Sequence, residues 1–157
     1  HALVNLGGEI GVLGVGSNGR NWRVGIQHPR MAASHLGVVN QSAGWYVATS
    51  GDYERFLIRN GLRYHHILDP STGFPAMEHA VMSVTVIAGS CLLADAMATA
   101  AFVLGPVEGI RFLESQGARG LIVYAADGDR EGGEITFRAT ADFLKIMQPD
   151  LDGRPIY

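Results

Sequence analysis

Apolar positions alternate with polar ones over most of the first half of the chain, and Gly, Asn, Asp and Pro interrupt them at short intervals. A period of two predicts short strands. Ala2–Leu6 reads as a strand ending at Gly7-Gly8, and residues 9–13 as its continuation after a bend or bulge. A Gly- and Asn-rich turn over Val15–Asn21 leads into a strand at Trp22–Gln27, stopped by His28-Pro29. Residues 37–49 make two strands or one long bent one. Tyr53–Ile58 and Leu62–Leu68 flank Asn60-Gly61, a two-residue hairpin signal. Val81–Ile87 is a valine-rich strand in which Ser83 and Thr85 alternate with the apolar positions.

The pattern then changes. Ser90–Leu104 is alanine-rich and predicts a helix, with Ser90 as its cap and Gly105-Pro106 as its end. Pro106 suits the first turn of a second helix over 106–116, closed by Gly117. Leu121–Ala125 and Ile135–Arg138 form another hairpin across Asp127-Gly128, and Ala141–Met147 a short terminal helix. Strands, two consecutive helices and strands again predict an antiparallel α+β domain rather than a βαβ repeat.

At 157 residues the chain is one domain's worth of sequence, with a net charge of −3 and no basic stripe, which argues against a nucleic-acid partner. No run of about eighteen uncharged apolar residues occurs, so no membrane span is expected. The single cysteine, Cys91, excludes an internal disulfide and reads as a buried small hydrophobe beside Leu92 and Leu93.

Two segments carry candidate chemistry. Asp95 and Thr99 stand four apart on the alanine-rich helix and so share a face. With Leu92, Leu93, Met97, Phe102 and Val103 around them, that helix should be buried nearly all round. A buried carboxylate needs a partner. One reading is Mg²⁺, which takes carboxylate and hydroxyl oxygens together with water or phosphate. The other is an Asp paired with an arginine and a Thr bonded back to its own helix.

The second segment is Tyr64-His65-His66-Ile67-Leu68-Asp69-Pro70-Ser71-Thr72-Gly73. In an extended chain His65 and His66 point to opposite faces, so they are not a zinc pair, and at most one faces a given site. The Asp69–Gly73 turn offers side chains and amides to an anion. Ser50-Gly51-Asp52-Tyr53-Glu54-Arg55 is a second polar turn and Gly7-Gly8-Glu9 a third.

Other matches fail on context. Gly14–Gly19 fits G-x-G-x-x-G but precedes a strand, not a helix. Asp127–Gly132 mimics a calcium loop, yet Arg138 stands where the bidentate Glu belongs. Ser50, His66 and Asp69 lack a nucleophile elbow.

Taken together, five ordered segments resemble the C-terminal half of the ApbE family of FAD:protein FMN transferases and related magnesium-dependent FAD pyrophosphatases. They are Asn5-Leu6-Gly7-Gly8-Glu9, Trp22-Arg23-Val24-Gly25-Ile26 with Pro29, Ala48–Arg55, Tyr64–Pro75 and Asp95–Gly105. The resemblance implies a T-fold-like α+β architecture with FAD bound as substrate and Mg²⁺ on its pyrophosphate. It implies Asp95 and Thr99 as metal ligands and His66 as the catalytic histidine. Gly7, Gly8, Glu9, Ser50, Gly51, Asp69, Thr72 and Gly73 are then expected to bind the flavin nucleotide. Ser71 departs from the family, replacing the arginine common in its Asp-Pro-Arg-Thr-Gly turn.

The implied reaction is transfer of FMN from FAD to a Thr or Ser hydroxyl of a flavin-acceptor protein, releasing AMP. Hydrolysis of FAD to FMN and AMP, and a non-catalytic flavin-binding or assembly module, stay open. The resemblance fits a bacterial periplasm, cell envelope or cytoplasm alike. The chain is expected to be a single domain or a fragment, with a loose tail over 148–157. It is expected to work with a missing N-terminal half or as a homo-oligomer.

Overall fold

The computed structural model describes residues 1–16, 18–129 and 131–148. Gly7 and Gly8, at φ +72° and +112°, make a tight turn that folds β2 (Glu9–Leu13) back on β1 (Ala2–Leu6), pairing Leu6 with Glu9. Residues 9–13 therefore reverse direction instead of continuing the first strand. Asn5 Oδ1 accepts from the Gly8 amide at 3.0 Å and fastens the turn.

Residues 37–49 resolve into two strands of different sheets. β3 (Trp22–Gln27) and β4 (His35–Gln41) pair with each other, whereas β5 (Tyr46–Gly51) joins β2. The hairpin at Asn60-Gly61 is present as the ribbon β6 (Phe56–Arg59) and β7 (Leu62–His65). β8 (Val81–Ala88), β9 (Arg119–Ala125) and β10 (Ile135–Ala139) complete an antiparallel six-stranded sheet of order β1-β2-β5-β8-β9-β10. The short helix α2 (Ala141–Ile146) is capped by Thr140 and followed by β11 (Met147–Gln148), which pairs with β4. Residues 149–157, in the expected loose tail, lie outside the described residues.

The two helices expected on either side of Gly105 are both present: α1 (Cys91–Ser115) is interrupted at Gly105, whose backbone leaves the helical region. Gly105 takes φ 80°, ψ −180°, a conformation essentially reserved for glycine, and the His79 ring occupies the space a Cβ would need. Pro106 restarts the helix where its missing N–H costs nothing. Ser90 has the extended backbone of a cap, but its side chain makes no capping bond.

Alternation along β8 explains the layering. Val84, Val86 and Ala88 face α1 and pack with Ala94, Ala98, Phe102 and Leu113. Ile87 faces the other way, with Leu121 and Val123 of β9, and meets Val24, Val39 and Phe143 from the three-stranded sheet and α2. The central sheet is thus covered on both faces, and all of β8 is buried. By length and composition α1 is apolar enough to cross a membrane, although its small-residue face is seated on this sheet.

The helix is not buried all round. Only the stripe Ala94, Ala98, Ala101, Phe102, Gly105, Gly109, Leu113 is covered, while Leu92, Leu93, Asp95 and Thr99 are exposed. Small residues at a spacing of three to four let the backbone approach the sheet closely, so one stripe suffices for contact. Cys91 is half-buried rather than enclosed.

Candidate active site

The same alternation places the site. Ala48 of β5 faces α1, so Ser50, two residues on, faces it too. Ser50 Oγ lies 2.9 Å from Thr99 Oγ1. Asp95, one helical turn earlier, projects into the same space. The Gly7-Gly8 turn closes one side, and the foot of the β6–β7 ribbon the other. Together they enclose a cavity of about 690 Å³ lined by Gly7, Glu9, Ser50, Gly51, His66, Asp95 and Thr99.

Strand geometry separates the two histidines as expected. His65 is buried, its ring edge-on to Phe102 with centroids 5.3 Å apart. His66 is exposed to the cavity. Its Nδ1 lies 3.2 Å from the Arg55 carbonyl oxygen. A carbonyl only accepts, so in the neutral ring Nδ1 carries the proton and the Nε2 lone pair is left for another partner.

The Asp69–Gly73 turn is placed differently. Asp69 Oδ1 accepts from the Ser71 amide at 2.8 Å and from Ser71 Oγ at 2.7 Å, and these bonds hold the Asp69 carboxyl below its ordinary range. Thr72 Oγ1 accepts from the Phe74 amide at 3.2 Å. Their polar groups thus engage their own loop, and Asp69, Thr72 and Gly73 do not line the cavity. Gly8 lies behind the wall, where a Cβ would stand 3.9 Å from the Thr49 carbonyl oxygen.

Sequence reasoning did not single out Glu54, Arg55 or Leu68 as site residues, yet all three line the cavity. Their signal was adjacency, since they flank Ser50-Gly51 and His66. Nor did it find the partner of Asp52. That carboxylate is 0% exposed and receives both guanidinium arms of Arg30, at 2.8 and 2.7 Å. Nothing in the sequence marks a pairing across twenty-two positions. Next to it, burial, with Glu54 and Asp52 nearby, pushes the Tyr53 hydroxyl up to about 12 against the opposing pull of Arg30.

Glu9, Glu54 and Asp95 give the cavity three carboxylates against the single guanidinium of Arg55. No ion pair to Asp95 occurs among the described residues, so pairing with an arginine does not account for it. Thr99 reaches Ser50 through its hydroxyl. Among the described residues no cluster of three or more His, Cys, Asp or Glu forms a closed metal cage. One carboxylate with adjacent hydroxyls, open to further oxygen ligands, is the donor set that suits Mg²⁺ shared with a phosphate rather than zinc or a caged calcium. A polyanion would enter this acidic cavity only with a cation between.

A second cavity of about 780 Å³ lies by the Gly14–Gly19 segment, lined by Arg20, Trp22, Arg23 and Asn40. Among the described residues it brings no carboxylate or histidine together, and the segment leads into β3 rather than a helix.

Residues 1–122 match the ApbE family. The chain is 36% identical over 137 residues to the FAD:protein FMN transferase of Vibrio cholerae, covering 87% of this chain and 41% of that protein. It is 46% identical over 112 residues to the FAD:protein FMN transferase of Treponema pallidum, covering 66% of this chain and 31% of that one. The crystal structure of the ApbE protein of Thermotoga maritima superposes with a TM-score of 0.78 at 37% identity, over 94% of this chain and 45% of that chain. The chain therefore spans less than half the length of each.

Proposed function

The chain belongs to the ApbE family, and from that premise we propose that it carries the phosphate-handling cavity of a magnesium-dependent FAD:protein FMN transferase. The observation that supports this reading is the convergence of Asp95, Thr99, Ser50 and His66, from three separate segments, on one cavity. The substrate is FAD, the acceptor a Thr or Ser hydroxyl of a target protein, and the second product AMP.

Asp95 and Thr99 would hold Mg²⁺, with Ser50 beside them. When bound, the ion supplies positive charge to a pyrophosphate that the carboxylates alone would repel. The chain's own groups do the rest. The glycines at 7 and 51 let the backbone come close to the ligand. The acceptor hydroxyl oxygen bonds to the phosphorus of the FMN half, and the bond from that phosphorus to the bridging oxygen breaks. AMP leaves with the bridging oxygen. His66 Nε2, unprotonated in the tautomer its Arg55 contact selects, takes the hydroxyl proton. Arg55 offers a charge to a phosphate oxygen at the mouth.

Incubating the full-length protein with FAD, Mg²⁺ and a flavin-accepting target tests this. A fluorescent band that survives denaturing electrophoresis is expected. FAD consumed without such a band would assign hydrolysis instead, and intact FAD beside an active control would remove both.

A further inference from the structure

We propose that the Arg30–Asp52 ion pair is a positioning device that fixes the Ser50-Gly51 end of β5 against Thr99, and so sets the spacing of the hydroxyls on the cavity wall. The inference rests on the flavin-transfer reading of that cavity.

Neither residue lines the cavity. Asp52 follows the two residues that do, and its amide and both carboxylate oxygens are held. Its amide donates to the Met82 carbonyl at 2.9 Å, where the β8–β9 register shifts, and its carboxylate takes both arms of Arg30. Arg30 comes from the β3–β4 turn of the other sheet. His28 Nδ1 accepts from the Arg30 and Met31 amides at 3.1 and 3.0 Å and shapes that turn. On the opposite side the Tyr53 ring lies where a Cβ on Gly51 would come within 2.7 Å of it. Residues 51, 52 and 53 are therefore clamped, and the hydroxyl of Ser50 has little freedom relative to α1.

Cohesion between the layers does not require the pair. Val24, Val39 and Phe143 already pack against Ile87, Leu121 and Val123. A buried ion pair is an expensive way to add stability, since apolar residues of similar volume often do as well. What a bidentate guanidinium–carboxylate contact adds is fixed geometry, and it is applied two residues from a hydroxyl in the cavity.

Three variants of the full-length protein separate geometry from stability: Asp52→Asn, the apolar pair Arg30→Met with Asp52→Leu, and Arg30→Lys, which keeps the charge and loses the fork. The readouts are thermal midpoint, kcat and KM for FAD, and Mn²⁺ affinity by electron paramagnetic resonance. Asp52→Asn is expected to lower both midpoint and kcat. The apolar pair should recover the midpoint while kcat stays about 10- to 100-fold down, the scale of a small misplacement of reacting groups. With Mg²⁺ kept saturating, KM for FAD should stay within about threefold, because uniform binding is untouched. Arg30→Lys should fold and lose roughly tenfold in kcat, with weakened Mn²⁺ binding. A stable apolar pair or a folded Arg30→Lys protein with wild-type kcat and wild-type Mn²⁺ affinity would overturn the proposal. If the wild type transfers no flavin, the flavin-transfer reading fails by itself, and the Mn²⁺ affinities still judge the pair.

Discussion

The hydroxyl of Ser50, near the end of a sheet strand, stands 2.9 Å from the hydroxyl of Thr99, on the third turn of α1. This bond ties the sheet to the helix at the cavity wall. Thr99→Val keeps the side-chain shape and removes the oxygen. Its stability cost should be about 1 kcal/mol, the net worth of one hydrogen bond. Turnover should fall further than that alone predicts, because on the proposed reading a metal ligand and the anchor of Ser50 go together. Ser50→Ala removes the bond but leaves the Thr99 oxygen, so its loss of turnover should be the smaller. Equal and small losses, tracking the melting temperature, would reduce both hydroxyls to structural roles.

Asp95 gives a sharper contrast. It is exposed and without an ion pair among the described residues, so Asp95→Asn should change stability in metal-free buffer by no more than about 0.5 kcal/mol. The same change removes the formal charge that a cation needs. Metal-dependent FAD cleavage should drop by roughly two orders of magnitude or more, exceeding the Thr99→Val effect. Melting curves and a Mg²⁺ titration of turnover check both halves. A stable variant with unchanged metal dependence would remove Asp95 from the metal site.

Much of this was legible in the sequence, because local rules govern it. Period-two alternation marked the strands, Asn60-Gly61 the ribbon turn, and the i, i+4 spacing the shared face of Asp95 and Thr99. Opposite strand faces separated His65 from His66. What failed depended on tertiary contact. Gly7-Gly8 reads as a bend or bulge in one strand, whereas the fold turns the chain back there and β2 pairs with β1 and β5. Leu92 and Leu93 make α1 look enclosed, yet only its small-residue stripe meets the sheet. The Asp69 turn differs by a local contact instead: its carboxylate, expected to meet the nucleotide, accepts from Ser71 two residues on. The Arg30–Asp52 pair joins two sheets, and no local pattern announces it.

Gly105 is a position where the fold tolerates little change. Its φ of 80° with extended ψ is open to glycine, and the His79 ring fills the space beyond it. Gly105→Ala must strain the backbone and displace the ring, costing about 1–3 kcal/mol. Adding His79→Ala relieves the second part only, so the double variant should recover a fraction of the loss. Chemical denaturation measures both. Full recovery in the double variant would mean that crowding, not backbone conformation, explains the glycine.

The turn that presents Arg30 should respond to acid through His28. Its Nδ1 accepts two backbone N–H bonds and so must be unprotonated in the fold. Burial first, and the neighbouring Arg30 charge second, hold its pKa below the ordinary 6.5. The unfolded chain therefore binds a proton near pH 6.5 that the folded protein still refuses. Stability from this group is complete above that value and is lost as pH falls from 6.5 through the lower folded pKa, where the dependence levels off. His28→Asn can keep an acceptor at this position without titrating. Melting temperatures measured from pH 7.5 to 5 should fall more steeply for the wild type than for His28→Asn, with the curves diverging only below about pH 6.5. Parallel curves across that range would show that the imidazole does not carry the turn.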